Sequence, residues 1–362
     1  MLGTLYYKCI GGISSMQEMS RKFNDDKVVE NLYTFFGDAK RDYLPHGVTE
    51  NEFLERLNPE ELEEIQKDIA YTMIRRKTFD DARVLKKWQI IIDATELDEG
   101  YQKKNDYYLS RCYNRGESNE CTKYHRSVLK AKLSLGHNLL CSIATETIQN
   151  SEEYISQSED KVKQDCESKA FIRLAEKIKK RFPRLPVIIT ADGLYVTQRV
   201  LQICRNNGWD YIIRYKEGCA ATIEQEYRAL PEKEKAGEDI EYQNQIPFGE
   251  NDVNLIYYTE KKEQADGKIR VTKFAWITNI KITKGNAGKI VLAGRNRWKI
   301  ENQGFNRQKH WQGNIEHAYS FHEQAQKNHY LMEQIADFIK QLYEYFYLER
   351  NGIRKLQKKY IF

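Results

Sequence analysis

The sequence lacks the long apolar runs that membrane-spanning segments require. Nowhere in its 362 residues do roughly twenty apolar residues follow one another, the length needed to span a bilayer. Its start, which contains Tyr6, Tyr7 and Lys8, also lacks the basic beginning, apolar centre and small-residue cleavage site of a signal peptide. These absences predict a cytoplasmic protein with no membrane partner.

Close cysteine pairs are absent as well. The seven cysteines are odd in number and scattered, and no two of them form a CxxC motif. We therefore expect reduced thiols, as in cytoplasmic proteins. Cys112, Cys121 and His125 share one polar stretch, but zinc sites normally use close cysteine pairs, and a fourth ligand is not evident. Zinc is the less favoured interpretation of this stretch.

Strong net charge is a third absence, since the whole chain carries only +5. The positive charge is clustered, however. Residues 289–310 hold six lysines or arginines against one acid, Glu301, which is a surplus equal to that of the entire chain. Apolar and small residues recur there at helical spacing and predict one helix that runs to Lys309. A lone acid on a basic helix is usually an exposed salt bridge, whereas the clustering favours an anionic partner.

The remaining patterns divide the chain into four parts. Residues 1–85 are predicted to be helical, either as a DNA-binding or oligomerising appendage or as a packing extension of the main domain. Residues 86–216 and 270–312 alternate strands with helices, which predicts a mixed α/β sheet. Residues 217–269 are charge-rich, with prolines, glycines and short strand-like pieces, and are interpreted as an insertion. Residues 313–362 are predicted to form a helical, aromatic-rich extension with a basic end.

Within the α/β part, an antiparallel meander of three strands should come first. It comprises a strand from Trp88 that ends near Asp93, a polar loop over 100–124, and strands over 127–135 and 139–148. A strand–helix–strand–helix–strand order follows. Its elements are predicted at 165–182 (helix), 187–192 (strand), 197–205 (helix) and 211–215 (strand), with a further strand at 273–278.

Three acids stand out in this arrangement. Asp93 and Asp192 each follow a run of apolar strand residues, and Glu301 lies on the basic helix. A carboxylate at the end of a buried strand can point into a cleft at the edge of the sheet. Singly, each aspartate has an ordinary explanation as a turn residue. Together, and in this order, the three acids indicate one site.

The order and the local motifs resemble the DDE-type transposases of bacterial insertion sequences. The motifs that carry the resemblance are Ile91-Ile-Asp93-Ala-Thr95, Ile188-Ile-Thr-Ala-Asp192-Gly, and Arg297-Trp-Lys-Ile-Glu301-Asn. The insertion and the stretch Lys163-Gln-Asp-Cys-Glu167 fit as well, so the resemblance covers about Trp88 to His317. It implies a ribonuclease-H-like mixed sheet with flanking helices, a β-rich insertion at 217–269, and helical extensions at both ends.

The resemblance also implies a function. The protein would be a metal-dependent DNA transposase in which Asp93, Asp192 and Glu301 are catalytic and hold two Mg²⁺ or Mn²⁺ ions. Such ions activate a water and stabilise the leaving oxygen of a phosphodiester, and a freed 3′-hydroxyl can replace the water for strand transfer. The partners would be double-stranded DNA, both element ends and target, and a second copy of the chain. The expected DNA contacts are Arg297, Lys299, Arg307 and Lys309. Trp298 could stack on a base, although a core position is commoner for a large aromatic.

Three positions depart from the family pattern. Ala94 stands where glycine is often found after the first aspartate, Gly294 where tyrosine is common, and Gln308 where lysine is expected. Two alternatives therefore stay open. One is a catalytically inactive, transposase-derived DNA-binding protein, and the other is a stand-alone, structure-specific nuclease.

Overall fold

The structure, a computed structural model, describes residues 1–37, 41–156, 163–230, 232–264, 267–317 and 319–349. This part of the chain contains eleven α-helices and one sheet of ten strands. None of its helices is long and apolar enough to cross a membrane. All seven cysteines lie in it, and none forms a disulfide.

The sheet is mixed, as the sequence predicted. Its strands are β1 (Trp88–Gly100), β2 (Leu109–Tyr113), β3 (Cys121–Ser134), β4 (Leu140–Ile148), β5 (Val187–Ala191), β6 (Asp210–Tyr215), β7 (Glu234–Lys235), β8 (Ile240–Phe248), β9 (Asn251–Glu263) and β10 (Ile269–Thr278). The spatial order is β2-β3-β1-β5-β6-β10-β9-β8-β7, with β4 also paired to β3. Strands β1, β5 and β6 run parallel, while β3 and β4 complete the predicted antiparallel meander.

Helices cover both faces of this sheet. They are α1 (Leu2–Ile10), α2 (Met16–Lys22), α3 (Asp26–Phe36), α4 (Gly47–Arg56), α5 (Pro59–Arg75), α6 (Glu152–Ser156), α7 (Glu167–Arg181), α8 (Gln198–Asn206), α9 (Ala221–Ala229), α10 (Ala287–Asn296) and α11 (Glu323–Tyr343). Ile189 and Ile213 pack with α7 and α8, whereas Ile188 and Ile212 pack with α10. Successive strand residues point to opposite faces, so both faces are apolar and both are covered.

The N-terminal helices form a second core. The apolar faces of α1 to α5 pack against α11 through residues such as Leu5, Leu54 and Leu331. The start of α5 is as predicted, because the Asn58 side chain accepts a hydrogen bond from the Glu60 N–H and Pro59 occupies the first helical position. The two ends of the described chain therefore pack together beside the sheet, as expected of a packing extension.

Strand β1 is longer than predicted. It continues for seven residues beyond Asp93, to Gly100. The parallel pairing with β5 stops at Ile91 and Thr190, but the antiparallel pairing with β3 carries on and keeps β1 extended. The prediction that this strand ends near Asp93 is therefore wrong, and Asp93 marks only the end of the parallel pairing.

Two stretches predicted as loop or insertion contain regular structure. The loop over 100–124 includes β2, which pairs with the first residues of β3. The stretch 217–269 supplies α9 and strands β7 to β9, and these strands extend the central sheet through β10.

The basic helix is not one regular helix. α10 ends at Asn296, and the chain continues in two π-helical segments, Ile300–Phe305 and Gln308–Gln312. A third π-helical segment, Glu344–Glu349, extends α11. Single π turns inside helices occur frequently at functional sites. The basic end of the chain, with Arg354 and Lys355, lies outside the described residues.

Candidate active site

Asp93 and Asp192 lie at the carboxyl end of the parallel pair β1 and β5. The last paired residues are Ile91 and Thr190. Asp93 follows Ile91 by two residues, and Asp192 follows Thr190 by two residues. Asp93 Oδ1 accepts a hydrogen bond from the Ala94 N–H (3.1 Å). Asp192 Oδ1 accepts one from the Leu194 N–H (2.9 Å) and so caps a short 3₁₀ turn. Both side chains are partly buried where the two strands diverge.

The carboxylate of Asp192 acts electrostatically on that of Asp93. Burial raises the pKa of Asp93 to about 6; the Arg297 guanidinium lowers it, and the Asp192 carboxylate adds to the rise. A like charge disfavours ionisation when it is close, and the register of β1 and β5 places the two aspartates at the same edge of the parallel pair.

Arg297 supplies the nearest positive charge. It follows the last residue of α10, and its Nη1 donates to Asp93 Oδ2 at 3.0 Å. Both side chains are largely buried, with 15% and 20% of their surface exposed. The arginine of the Arg-x-x-x-Glu motif therefore pairs with the first aspartate and offsets its charge.

Glu301 is carried by the π-helical segment Ile300–Phe305. The ends of that segment, Ile300 and Phe305, are buried with Ile91 of β1 and Leu140 of β4. The segment is thus held against the strand that carries Asp93, and Glu301 itself is half-buried. Across the described ranges, however, no three His, Cys, Asp or Glu side chains are placed to share one metal ion. The structure brings the aspartates together without joining Glu301 to them in such a group.

One acidic residue of the site was not singled out in the sequence. Glu167, in the first turn of α7, accepts a hydrogen bond from the Tyr195 hydroxyl at 3.0 Å. Burial raises the pKa of Glu167; the Tyr195 hydrogen bond lowers it, and the Asp192 carboxylate adds to the rise. Glu167 in turn contributes to the raised pKa of Asp93. The only feature of the sequence that pointed to Glu167 was the stretch Lys163-Gln-Asp-Cys-Glu167. The position of Glu167 in a first helical turn did not, because acidic residues are common there.

The predicted DNA-contacting residues do not share one environment. Lys299 is half-buried, and burial lowers its pKa. Lys309 Nζ lies 2.8 Å from Glu316 Oε1. Arg307 is only 4% exposed and is bound by Asp337 and Glu344. It cannot reach a phosphate from this position, so the prediction that Arg307 contacts DNA is contradicted.

A positively charged, aromatic surface borders the aspartates. The guanidinium groups of Arg214 and Arg295 lie over the Phe274 ring, 5.0 and 4.2 Å from its centroid. Burial lowers the pKa of Arg214, and the charges of Arg297 and Arg295 lower it further. Trp298 is 49% exposed beside Arg297, so the core position favoured for this tryptophan is wrong.

The donors at the site fit a hard divalent cation in their chemistry. Asp93, Asp192 and Glu167 offer only carboxylate oxygens, the ligands that Mg²⁺ and Mn²⁺ prefer. Their mutual repulsion, offset by one arginine on Asp93, leaves a surplus of negative charge for a cation to neutralise.

The fold and the site together define an α/β protein with an acidic centre bordered by a positively charged surface. Residues 162–332 match the family model described as the transposase DDE domain. This match confirms the resemblance to DDE-type insertion-sequence transposases. The match includes Asp192 and Glu301 and begins after Asp93. Among curated proteins, none matches the chain.

Proposed function

We propose that this protein is a DNA transposase that cleaves phosphodiester bonds at the ends of its element and transfers the freed strands to target DNA. The observation that carries this proposal is the position of Asp93 and Asp192, each two residues beyond the last paired residues of β1 and β5. It is joined by the match of residues 162–332 to the transposase DDE domain model. On this proposal, the sheet from β1 to β6 and its helices form a ribonuclease-H-like catalytic domain.

Asp93, Asp192 and Glu301 would hold two Mg²⁺ or Mn²⁺ ions. When bound, such ions activate the attacking oxygen and stabilise the leaving oxygen of the phosphodiester. Arg297 offsets the charge of Asp93, and its guanidinium group would pair with a phosphate of the DNA. Tyr195 holds the Glu167 carboxylate beside Asp192 through its hydroxyl.

The DNA backbone would lie on the adjoining positive surface. Arg214, Arg295, Arg297, Lys299 and Lys309 supply its positive charges, and exposed Trp298 offers a ring on which a base can stack. Arg307 is left out of this set because it is buried among acids. Two element ends must be paired for transposition, so the working complex would contain at least two copies of the chain.

One observation favours a second candidate. No three potential ligands in the described part of the chain are placed to share a metal ion. A transposase-derived DNA-binding protein without catalytic activity would fit that arrangement.

The test uses labelled duplex DNA that carries the sequence flanking the gene, incubated with Mg²⁺ or Mn²⁺. Asp93→Asn, Asp192→Asn and Glu301→Gln should each reduce cleavage by more than about a hundredfold, the upper range for residues that only support a metal site. Glu176→Gln, on the exposed face of α7, is the matched control and should cleave normally.

The DNA products of this reaction distinguish a transposase from a nuclease and from an inactive DNA-binding protein. Cleavage with joined products supports a transposase, whereas cleavage without joining indicates a nuclease. DNA binding without cleavage by the wild-type protein, in either metal, would establish the inactive form. Normal cleavage by all three acidic-site variants would refute the assigned site.

A further inference from the structure

The backbone around Glu301 is π-helical, with more residues per turn than an α-helix. The π-helical segments Ile300–Phe305 and Gln308–Gln312 lie on either side of Asn306 and Arg307. A π turn holds one residue more than an α turn, so its loss would rotate the flanking residues relative to each other by roughly 100°. The direction of Glu301 therefore depends on whatever fixes the register of the residues after it.

Arg307 fixes that register from one side. Its Nη1 and Nη2 donate to the two carboxylate oxygens of Glu344 at 2.8 and 2.9 Å, and its Nε donates to Asp337 Oδ1 at 3.2 Å. All three side chains are buried. A bidentate arginine–carboxylate pair is strongly directional, and a buried one is costly to break.

Gln308 adds hydrogen bonds to two residues of α11, Gln334 and Asp337. Its Nε2 donates to Gln334 Oε1 at 2.9 Å and to Asp337 Oδ2 at 2.8 Å, and its Oε1 accepts from Gln334 Nε2 at 3.1 Å. Gln308 is 1% exposed. The residue at the position where the family pattern expects lysine thus points inward here.

The opposite side of the segment rests on the sheet. Ile300 and Phe305 pack against Ile91, which lies two residues before Asp93. A Cβ added at Gly304 would lie 3.3 Å from Nζ of Lys132, a residue of β3, so the backbone of the segment lies close to the end of this side chain. The Lys132 ammonium in turn lies 3.8 Å from Asp337 Oδ2, which connects the sheet with the same acidic cluster.

We propose that Asp337 and Glu344 are positioning residues for the active site. Through Arg307 and Gln308 they hold the π-helical register, and this register places Glu301 against the strand that carries Asp93. The C-terminal helix is then part of the catalytic apparatus without touching DNA or metal. This inference rests on the catalytic role proposed for Glu301.

The test compares two buried carboxylates in the full-length protein. Glu344→Gln removes the charge that binds Arg307. Glu63→Gln is the matched control, because Glu63 of α5 is equally buried (6% against 7% exposed) and is paired with Arg181 of α7. Thermal stability, hydrogen exchange over residues 300–312, and the Mg²⁺ concentration for half-maximal cleavage are measured for both variants.

Both variants should lose stability to a similar degree. Only Glu344→Gln should accelerate exchange over 300–312 and raise the half-maximal Mg²⁺ concentration, by roughly tenfold, the loss usual for residues that support a metal site. Affinity for element-end DNA should stay within about twofold, because Glu344 is buried and is not one of the residues proposed to contact DNA. Gln308→Ala should give the same pattern more weakly, and it serves if Glu344→Gln does not fold.

Equal exchange and equal Mg²⁺ dependence in the Glu344 and Glu63 variants would overturn the inference and leave the cluster with a structural role alone. If the wild-type protein shows no metal-dependent cleavage, the proposed function fails instead. The exchange comparison then still decides whether the C-terminal helix holds the register of the segment.

Discussion

Asp93 and Asp192 are separated by ninety-nine residues, the same offset that relates Trp88 to Val187 and Ile91 to Thr190 in the paired part of β1 and β5. The two aspartates therefore continue the parallel register by two residues. Neighbouring strands lie about 4.8 Å apart, so the register places the two aspartates side by side where the parallel pairing stops. A cation between them would be shared by β1 and β5, and the chain between these two strands includes β2, β3, β4, α6 and α7.

Arg297 and a divalent cation should compete for Asp93. Arg297→Gln removes the positive charge 3.0 Å from Asp93 Oδ2, so Mn²⁺ binding without DNA should tighten severalfold. The same change should weaken DNA binding and reduce the slope of log affinity against log salt by about one, because one phosphate contact is lost. Calorimetric titration with Mn²⁺ and binding to labelled DNA at several salt concentrations provide the two readings.

Arg295→Gln is the matched control for that experiment. Arg295 also lies on the positive surface, but its carboxylate partner is Glu260, at 2.8 Å, and not an aspartate of the site. It should change the salt dependence of DNA binding without changing Mn²⁺ binding. Weaker Mn²⁺ binding in Arg297→Gln would mean that the arginine supports the metal site and does not compete with it.

The raised pKa of Asp93 predicts a pH dependence of stability. Burial raises this pKa to about 6 from an ordinary value of 3.8. Between these pH values the folded protein keeps a proton that the unfolded chain has released, so increasing pH favours unfolding. Relative to Asp93→Asn, the metal-free wild type should lose roughly 2 kcal/mol of stability between pH 4 and pH 7. Urea unfolding at several pH values measures the difference.

Mg²⁺ should reverse that loss. A cation favours the ionised carboxylate, so Mg²⁺ should stabilise the wild type more at pH 7.5 than at pH 5, and should leave Asp93→Asn unchanged at both. Parallel pH profiles of the two metal-free proteins would show that Asp93 is not held in an environment that disfavours its charge.

Much of the sheet and of the aspartate pair followed from the sequence, because each depends on local pattern. Apolar runs that stop at Asp93 and Asp192 predicted buried strands in a mixed sheet, and the position of both carboxylates after such strands indicated one site. The parallel pairing of the two strands came from the structure. The continuation of β1 was missed since it depends on its distant antiparallel partner β3. Residues after Asp93 alternate in polarity too weakly to show it.

The environment of Arg307 could not be predicted in the same way. Its acidic partners Asp337 and Glu344 follow at least thirty residues later, in α11 and its π-helical extension, which the sequence predicted only as a helical, aromatic-rich extension. The π-helical turns also shift which side of the helix each basic residue occupies. Basic residues at helical spacing therefore look alike in sequence, whether they face DNA or a buried acid.

Gly294 illustrates a departure from the family pattern that the structure explains. A Cβ added there would lie 2.4 Å from Nε1 of Trp276, the β10 residue that fills this space. Gly294→Ala should therefore destabilise the protein by roughly 1–3 kcal/mol, as overpacking of a core usually does. Gly288→Ala, on the same helix with open space around it, should be neutral or stabilising by up to about 1 kcal/mol. Equal effects in thermal unfolding would exclude the contact with Trp276 as the cause.

Glu167 should affect the binding of the metal ion and leave the affinity for DNA unchanged. Glu167→Gln keeps the size of the side chain and its hydrogen bond from Tyr195, but it removes a negative charge that acts on both aspartates. The Mg²⁺ concentration for half-maximal cleavage should rise by about tenfold, whereas DNA affinity should not change. Tyr195→Phe, which leaves the Glu167 carboxylate without this donor, should produce a smaller shift in the same direction. Glu176→Gln, on the exposed side of the same helix, is the reference. A Glu167 variant with the Mg²⁺ dependence of that reference would show that the acidic centre consists of Asp93, Asp192 and Glu301 without it.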